Sequence, residues 1–469
     1  MHSRPLCIRG ASGRALRRFL RRLLQLFLLF DHRGTHILSE RGRDDLRFLP
    51  FVKKKTITME LKVLIVFCVS LYCCQAQNPT AAVKLHTGLS ERIGNFSIEV
   101  LYHTSKTLQD KQNFIMSPIT IWNVLAVIAE GASGLTRDEI VNAIRWNVRQ
   151  GNNSRNDFKE ISQWLKVNTT TVQLAKINTM FVNKNNYPLK DFQEIAKRDY
   201  ETDIYELDFK DSTYTANVLN NAIANYTHGL ITKIVEPEYF QNAAMVLTSA
   251  VYFKGQWTVP FNASSTSKMP FFDSSNNKIG DVNMMYNRYT YPFANFKELK
   301  AQVIELPYGK ENRLSMLIMV PYHGVTVEDM FINFQKVDLD TFFRELRISK
   351  EQYSDDEVDC YIPRFKIESD IDMSNVLKTR FGIERLFDPT FSSLPHISRL
   401  PLHVSKLVHK AKIEVTEEGT TAAGVTVSEF SNRIGVLQFQ ANRPFTYVIV
   451  EKITNSIVFG GFYKEPSLY

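Results

Sequence analysis

The sequence predicts a single α+β domain over residues 77–469, with mixed β-sheets and helices packed around them. Apolar residues recur at helical spacing in its first part, whereas its later part holds apolar runs of strand length without regular strand–helix alternation. No repeat of fixed period, low-complexity tract or Pro/Gly-rich linker divides this stretch. With 44% apolar and 23% charged residues, the composition is typical of a globular protein.

Helical periodicity predicts the first elements. Apolar residues recur at helix spacing over Ser90–Thr107, and the almost wholly apolar run Ile119–Glu130 indicates a buried helix. We interpret Thr136 and Glu139 as a capping box, which would open a helix over Arg137–Trp146.

Strands are predicted where β-branched and apolar residues cluster between turn signals. Met245–Phe253 is a nearly continuous apolar run, which favours a central strand buried on both faces. Gln302–Pro307 and Leu314–Pro321 are expected to pair as a hairpin. The other predicted strands are Thr171–Val182, Val358–Ile367, Lys412–Val415, Phe445–Val450 and Ser456–Phe462, with a helix from Met373 to Thr379 or beyond.

The net charge of +8 is spread unevenly along the chain. Residues 1–58 carry 14 Lys and Arg against four acids, and residues 59–76 carry one of each sign. The remaining 42 basic and 44 acidic residues leave residues 77–469 nearly neutral. Since nucleic-acid binding needs concentrated positive charge, we expect no nucleic-acid partner.

Residues 59–76 have the pattern of a secretory signal peptide: Lys62, the apolar run Val63–Tyr72, and small residues Cys74 and Ala76 at a cleavage site. That run is shorter than the roughly 20 residues that span a bilayer, so we expect a secreted protein with no membrane anchor. Because a signal peptide works from the amino end, residues 1–58 are interpreted as a non-native extension. A genuine Arg-rich leader, or an uncleaved anchor around Phe19–Phe30, stays open.

The cysteines and the glycosylation sequons agree with an extracellular location. Four of the five cysteines precede residue 77, so Cys360 remains alone and no internal disulfide is expected. Five Asn-x-Ser/Thr sequons follow the signal segment and favour a glycosylated extracellular protein. They are Asn95, Asn152, Asn168, Asn225 and Asn262.

About thirty residues with little apolar content separate the strands Lys412–Val415 and Phe445–Val450. A connection of that length is usually functional or disordered. Read with strand alternation, its first half has one face of small uncharged residues and one face that carries the charge of Glu429. The small-residue face consists of Thr420, Ala422, Gly424, Thr426 and Ser428. Taken alone, these residues are equally compatible with a segment that forms a strand and with a flexible surface loop.

Several short motifs occur in order along residues 90–466. The C-terminal motifs are His409-Lys-Ala411, the segment from Glu417 to Gly424, and Phe439-Gln-Ala-Asn-Arg-Pro-Phe445. The earlier motifs are Phe114–Pro118, Gly131–Gly134, Val251–Trp257, Val303–Tyr308 and Ile362–Phe365. Together these motifs resemble those of the serpin family, and the chain is similar to arthropod serpins. Thr446 departs from the family, which prefers an apolar residue there.

This resemblance implies a single serpin domain with an exposed reactive-centre loop at about residues 417–438. Family spacing, counted from Gly419 and back from Pro444, puts the bait bond between Arg433 and Ile434. The chain is then an inhibitor that a serine protease cleaves, forming a covalent acyl complex, before the loop inserts into the central sheet. The implied hinge is Glu417, Glu418, Gly419, Thr420, Thr421, Ala422, Ala423 and Gly424. We expect a monomer that needs no cofactor.

The resemblance also implies roles near the sheet. Arg433 suits a trypsin-like pocket that carries a carboxylate. Arg364 is expected to pair with Glu417 close to Trp257, where the opening strands begin. Ser117, Thr120 and His409 fall at a polar cluster beneath those strands. Ser249 stands where the family commonly has Asn, and a plain hydrogen-bonding role for the cluster stays open beside a switching role.

Other classes of function are disfavoured. No Gly-Asp-Ser-Gly-Gly motif or nucleophile elbow is present, so we do not expect an enzyme. Ten scattered His and the single Cys360 offer no metal-ligand spacing. The serious alternative is a non-inhibitory serpin that carries or stores a ligand, but such members tend to have bulky or charged residues where this hinge has Thr420, Ala422 and Gly424.

Two further patterns concern binding partners of the chain. Asn432–Val436 resembles the activation junction of trypsin-family zymogens, which suggests a zymogen-activating target in an immune or clotting-type cascade; drift at Ile434 is the alternative. The sparse basic set Arg145, Arg149, Arg155, Lys159 and Lys166 is interrupted by acids and is interpreted as a solvated face.

Overall fold

A computed structural model describes residues 87–108, 112–146, 151–226, 229, 231–334, 336–337, 339–352, 356–420 and 437–469. The predicted extension, the signal peptide and the bait bond lie outside these described residues, as do hinge positions 421–424.

Within the described residues the chain forms nine α-helices. They are α1 (Thr87–Thr107), α2 (Pro118–Gly131), α3 (Gly134–Ala143), α4 (Gly151–Trp164), α5 (Lys190–Tyr200), α6 (Ser212–Tyr226), α7 (Val327–Phe334), α8 (Leu339–Gln352) and α9 (Met373–Phe381). The predicted helices at α1, α2 and α9 are confirmed. In α2 every residue except Glu130 is buried, which explains its almost wholly apolar sequence.

The same residues form sixteen strands. They are β1 (Phe114–Met116), β2 (Val172–Asn183), β3 (Thr202–Leu207), β4 (Met245–Gln256), β5 (Ser267–Phe272), β6 (Lys278–Tyr289), β7 (Phe293–Phe296), β8 (Ala301–Tyr308), β9 (Leu314–Pro321), β10 (Val358–Pro363), β11 (Phe365–Asp372), β12 (Lys406–Val415), β13 (Gly419–Thr420), β14 (Leu437–Gln440), β15 (Phe445–Glu451) and β16 (Ser456–Tyr463). The predicted α+β class and the hairpin β8–β9 are confirmed.

The predicted capping box is wrong. Helix α3 begins at Gly134, so Thr136 lies inside its first turn and does not cap it. Instead, the Thr136 hydroxyl donates to the Phe391 carbonyl and accepts from the Ser393 N–H. Glu139 accepts from the N–H groups of Glu384 and Arg385. These polar side chains therefore hold a distant loop rather than their own helix end.

The predicted single strand Val358–Ile367 is also wrong. It is two strands, β10 and β11, which belong to different sheets and are separated by Arg364. Pro363 still pairs with Met284 of β6, and the Arg364 N–H donates to the Asn283 carbonyl at 2.8 Å, after which the chain passes to the next sheet. In addition, β12 begins at Lys406, six residues before the predicted start at Lys412.

Three sheets organise the domain. The central sheet has the order β11-β12-β4-β2-β3, and the short β13 joins it by pairing with β4. The second sheet has the order β1-β16-β15-β9-β8-β7, and the third has the order β14-β10-β6-β5. Met245–Gln256 is thus an interior strand of its sheet, as the apolar run predicted.

The three sheets share one large core, to which α1 and α2 contribute. A smaller cluster lies between α6 and the other face of the central sheet, where Leu219 and Ile223 join Phe181 of β2 and Val246 of β4. The central sheet is therefore covered on both faces over β2 and β4. Among the described helices, none combines the length and apolarity needed to cross a bilayer.

Candidate functional site

Two residues of the predicted hinge, Gly419 and Thr420, form a short strand on the central sheet. Gly419 and Thr420 pair antiparallel with Gln256 and Gly255 of β4. A tight turn precedes them, in which the N–H groups of residues 416 and 419 donate to each other's carbonyls at 2.8 and 3.2 Å. The loop therefore leaves β12, reverses within four residues and starts back along β4.

Further backbone bonds hold this reversal in place. The Trp257 N–H donates to the Glu418 carbonyl at 2.9 Å, and the Phe261 N–H donates to the Glu417 carbonyl at 2.7 Å. The indole N–H of Trp257 donates to the Thr416 carbonyl at 2.9 Å. Trp257 is buried and its ring stacks on Tyr308 at a centroid distance of 4.4 Å. The predicted position of Trp257 beside the hinge is thus observed.

Gly419 has a φ of +139°, in the region that favours glycine. A Cβ atom at this position would lie 2.2 Å from the Gly255 carbonyl oxygen and 2.7 Å from the Gln256 Cα. Both neighbours are backbone atoms of β4, which cannot rotate away. Glycine is required here because of close approach to β4 as well as backbone conformation.

Glu417 lies beneath this turn and is 8% exposed. Its Oε1 accepts from the Thr266 hydroxyl at 2.7 Å and lies 3.5 Å from Nη1 of Arg364. The expected pair of Arg364 and Glu417 is therefore present. Arg364 also donates through Nε to the backbone oxygen of Tyr469 at 2.7 Å, and its guanidinium lies over the Tyr469 ring. Arginine suits this place because its fork serves two partners at once.

The predicted polar cluster lies further down the same sheet. The Ser117 N–H donates to Nε2 of His409 at 2.8 Å, and the Thr120 hydroxyl donates to the Ser117 carbonyl at 2.9 Å. The Ser249 hydroxyl donates to Oγ1 of Thr120 at 2.7 Å. Although Ser249 departs from the family, it joins the network. The cluster thus links α2 to the facing residues 249 and 409 of β4 and β12.

Burial lowers the pKa of His409 to about 3, with the backbone of Ser249 acting in the opposite direction. The imidazole is therefore neutral and accepts at Nε2. Its Nδ1, which then carries the ring proton, lies near the Ser249 backbone but makes no well-formed hydrogen bond, and Oδ1 of the buried Asn178 has no partner among the described residues. Asn178 pairs in register with Ser249 from the neighbouring strand β2. Two buried polar atoms of the cluster, Nδ1 of His409 and Oδ1 of Asn178, therefore remain able to accept or donate a further hydrogen bond while β4 and β12 are paired.

Sequence reasoning missed Asn178, Thr266 and Tyr469 as members of the site. Asn178 lies within a predicted strand that also holds Gln173, Lys176 and Thr179, so its polar side chain did not stand out. Thr266 and Tyr469 carried no signal, because their contacts depend on chain segments that are distant in sequence.

The five sequons occupy different environments. Asn168 and Asn225 are exposed, Asn95 and Asn262 are half-buried, and Asn152 lies in α4. Ser97, the hydroxyl residue of the Asn95 sequon, is fully buried and donates to the Ile93 carbonyl. Glycosylation stays a prediction at all five positions, and the exposed Asn168 and Asn225 are the most accessible.

The basic residues of the 145–166 region that the structure describes are paired with acids. Arg145 contacts Glu99 at 2.6 Å, and Lys166 contacts Glu201 at 2.7 Å. Arg155 binds Glu130, and Lys159 lies 3.5 Å from Asp199. These partners neutralise the positive charge locally, in keeping with a solvated face.

No group of three or more potential metal ligands occurs among the described residues. Burial raises the pKa of the Cys360 thiol far above its usual range, so Cys360 is an inert core residue.

Comparisons with known proteins identify relatives of the chain. The model of the Serpin family, described as serine protease inhibitor, matches residues 91–466. Human Serpin B9 is 30% identical over 388 residues, which covers 81% of this chain and 99% of that protein. Human plasminogen activator inhibitor 2 is 26% identical over 413 residues, covering 79% and 98%. The crystal structure of Serpin48 from the insect Tenebrio molitor is 26% identical, with a TM-score of 0.65 and coverage of 80% and 97%.

Proposed function

Since the chain belongs to the serpin family of serine protease inhibitors, we propose that it is a secreted inhibitor that traps a trypsin-like protease at Arg433–Ile434. Inhibitory members of this family trap proteases in a covalent complex and do not act as enzymes themselves. The proposal has four parts: the class of target protease, the position of the bait bond, the insertion of the loop and the extracellular location.

The main support for loop insertion is the hinge on the central sheet. Strands β4 and β12 run parallel and pair over Val246–Val251 and Lys406–Ala411, and their pairing stops there although both strands continue. Beyond this point β13 is already hydrogen-bonded to β4. An incoming strand therefore has its first two residues in place at the end of the sheet where the two neighbours part.

The register of β13 supports the choice of inserting face. Continued antiparallel along β4, it would place Ala422 beside Phe253, Gly424 beside Val251 and Thr426 beside Ser249. Phe253 and Val251 belong to the large core shared by the sheets. The small, uncharged face of the loop would thus meet the side of the sheet that packs against this core.

The same register would bring the Thr426 hydroxyl between Ser249 and His409. Nδ1 of His409 is a buried polar atom without a partner in the closed sheet. An unpaired buried polar group costs about 1–3 kcal/mol, so a hydroxyl that reaches it would favour the inserted state. Residues 420–433 would extend about 46 Å at ~3.3 Å per residue, which carries an attached protease far from its starting point.

A direct experiment is to incubate the purified protein with trypsin and analyse the mixture by SDS gel and mass spectrometry. We expect an SDS-stable complex and a released peptide that begins at Ile434. Arg433→Ala should abolish complex formation with trypsin-like enzymes and leave the fold intact, because only the bait side chain changes. A protein that is merely nicked would support the non-inhibitory alternative, and an undiminished complex with Arg433→Ala would place the bait bond elsewhere.

We propose further that the target activates protease zymogens. The support is the likeness of Asn432–Val436 to a zymogen activation junction, since a protease that cleaves such junctions must accept Ile after the cut. Association rates of wild type and Ile434→Ser should differ more for a zymogen-activating protease than for digestive trypsin. Equal rates for both proteins and both enzymes would contradict this target class.

The extracellular location rests on residues 59–76 and on the sequons, of which Asn168 and Asn225 are exposed in the folded domain. Expression from Met59 in cultured eukaryotic cells should yield secreted protein whose mass falls on treatment with an N-glycosidase. Retention inside the cells without glycans would contradict it.

A further inference from the structure

The third sheet begins very close to the proposed bait bond. Leu437, the first residue of β14, follows Ile434 by three residues, so the chain keeps the two within about 11 Å of each other. β14 pairs parallel with β10, which in turn pairs with β6. A protease that holds Arg433–Ile434 in its cleft therefore lies beside this sheet, on the side of the cleft that binds residues after the scissile bond.

Four side chains on one face of this sheet are arranged in two rows. Along β10, Val358, Cys360 and Ile362 are buried, whereas Asp359 and Tyr361 are partly exposed. In register on β6, Arg288 lies opposite Asp359 and Tyr286 lies opposite Tyr361. These four residues, Tyr286, Arg288, Asp359 and Tyr361, are called the outer patch below.

Hydrogen bonds fix the outer patch in one arrangement. Arg288 binds Asp359 through two bonds, from Nε at 2.7 Å and from Nη2 at 3.0 Å. The Tyr286 hydroxyl donates to the same carboxylate at 2.7 Å, and the rings of Tyr286 and Tyr361 lie 4.8 Å apart. Burial opposes the ionised carboxylate, but the bonds from Arg288 and Tyr286 outweigh it and lower the pKa of Asp359. The patch is therefore rigid and neutral overall.

The composition of the patch is that of a protein-binding surface. Tyr and Arg are enriched among the residues that dominate binding energy at interfaces, and rigid side chains lose little entropy when a partner docks. A specific protein complex covers about 800 Å² on each partner, which is more than a few bait residues provide. Tyr187 and Tyr214 are exposed away from this sheet, Tyr187 in the connection between β2 and α5 and Tyr214 in α6.

We propose that the outer patch is a second contact surface for the target serine protease, which binds it while the bait bond occupies the cleft. This inference rests on the proposed inhibitory function. Because the patch is neutral, it would act through ring packing and hydrogen bonds rather than through long-range attraction, and its contribution would depend only weakly on salt.

The test compares the double variant Tyr286→Ala/Tyr361→Ala with wild type against a panel of extracellular serine proteases that includes trypsin. For the protease that wild type traps fastest, we expect the association rate constant to fall about tenfold, with unchanged stoichiometry and thermal stability. The matched control Tyr187→Ala/Tyr214→Ala removes two exposed tyrosines elsewhere and should stay within twofold of wild type. Should the double variant fold poorly, Tyr361→Ala alone keeps the bonds among Tyr286, Arg288 and Asp359 and should still slow association at least threefold.

The outcomes separate the two proposals. If wild type forms complexes and the patch variants associate at wild-type rates, the outer patch is not a contact surface, while the inhibitory function stands. If wild type traps no serine protease at all, the proposed function fails and this inference fails with it.

Discussion

The two ends of the 421–436 segment are attached to the domain in different ways. Upstream, Gly419 and Thr420 pair antiparallel with β4 over two residues, and the glycine adopts a positive φ. Downstream, β14 pairs parallel with β10 over four residues, and Phe439 is fully buried. The upstream attachment is short and lies where β4 and β12 separate, whereas the downstream attachment completes the edge of its sheet.

This difference gives the two attachments different tasks. A strand that extends from Thr420 lengthens along β4 in the central sheet. This extension leaves the pairs of the third sheet, including β14 with β10, unbroken. The downstream attachment instead holds Leu437–Gln440 in the third sheet, next to β10, which carries Asp359 and Tyr361 of the outer patch. One end of the loop is thus suited to movement and the other to presentation.

The largest effect is expected from a charge at the upstream attachment. Thr420→Arg puts an unpaired cation on the face that would meet the core, at a cost of several kcal/mol. Insertion slows by a factor of ten for each 1.4 kcal/mol added to its barrier, so the acyl-enzyme has time to hydrolyse. The variant should behave as a substrate, and the measurement is the number of inhibitor molecules consumed per protease, which we expect to rise at least tenfold.

Two controls carry the same new side chain. Thr421→Arg is one residue further on and points to the opposite face of the inserted strand. Leu437→Arg lies on the downstream attachment at a position that is 38% exposed. Both should keep a stoichiometry close to that of wild type. A wild-type stoichiometry for Thr420→Arg would contradict the insertion mechanism and the contrast between the two attachments.

A smaller effect is expected from pH at His409, beneath the upstream attachment. Burial also lowers the pKa of His103 and His403, and wild type and the variants below share the contributions of these two residues. Unfolded His takes up a proton near its ordinary pKa of 6.5, whereas His409 in the fold does so near pH 3. The unfolded state therefore binds more protons as the pH falls below 6.5, and stability decreases toward pH 3. From pH 7 to pH 5 the loss attributable to His409 is about 2 kcal/mol. In the third sheet, the pKa of Asp359 is lowered from 3.8, so that group does not titrate in this window.

The check is urea unfolding of wild type and His409→Gln at pH 7 and pH 5. The variant keeps a side-chain acceptor for the Ser117 N–H but has no titratable group, so its stability should change less between the two pH values. His396→Gln, at an exposed position, should follow wild type. Identical pH dependence in all three proteins would mean that His409 is not the group that titrates.

Much of the fold could be predicted from the sequence because local patterns coincide with the final packing. The almost wholly apolar α2 and the interior strand β4 are buried as their composition predicted. The strand β10–β11 could not be divided correctly, because the apolar pattern continues across Arg364 while the chain changes sheets. Periodicity records which residues are buried but not which sheet buries them.

The site was predictable to a similar extent. The pair Arg364–Glu417 and the contacts of Ser117, Thr120 and His409 followed from motif positions. Asn178 and Thr266 were not found, since each meets the site only through a neighbouring element. The bait bond lies outside the described residues and stays a prediction.

The smallest effect concerns the ion pair beneath the hinge. Glu417→Gln removes the charge that faces Arg364 but keeps an oxygen that accepts from Thr266. The Arg364 side chain is 35% exposed and its Nη1 lies 3.5 Å from the carboxylate, so solvent weakens the pair. We expect a loss of only about 0.5–1 kcal/mol in the free energy of unfolding, measured by urea titration at low and high salt. The loss should shrink at high salt because exposed pairs are screened. A loss above about 3 kcal/mol, the range of a broken buried pair, would show that Glu417 fixes the upstream attachment far more rigidly than its geometry indicates. The contrast with the downstream attachment would then need revision.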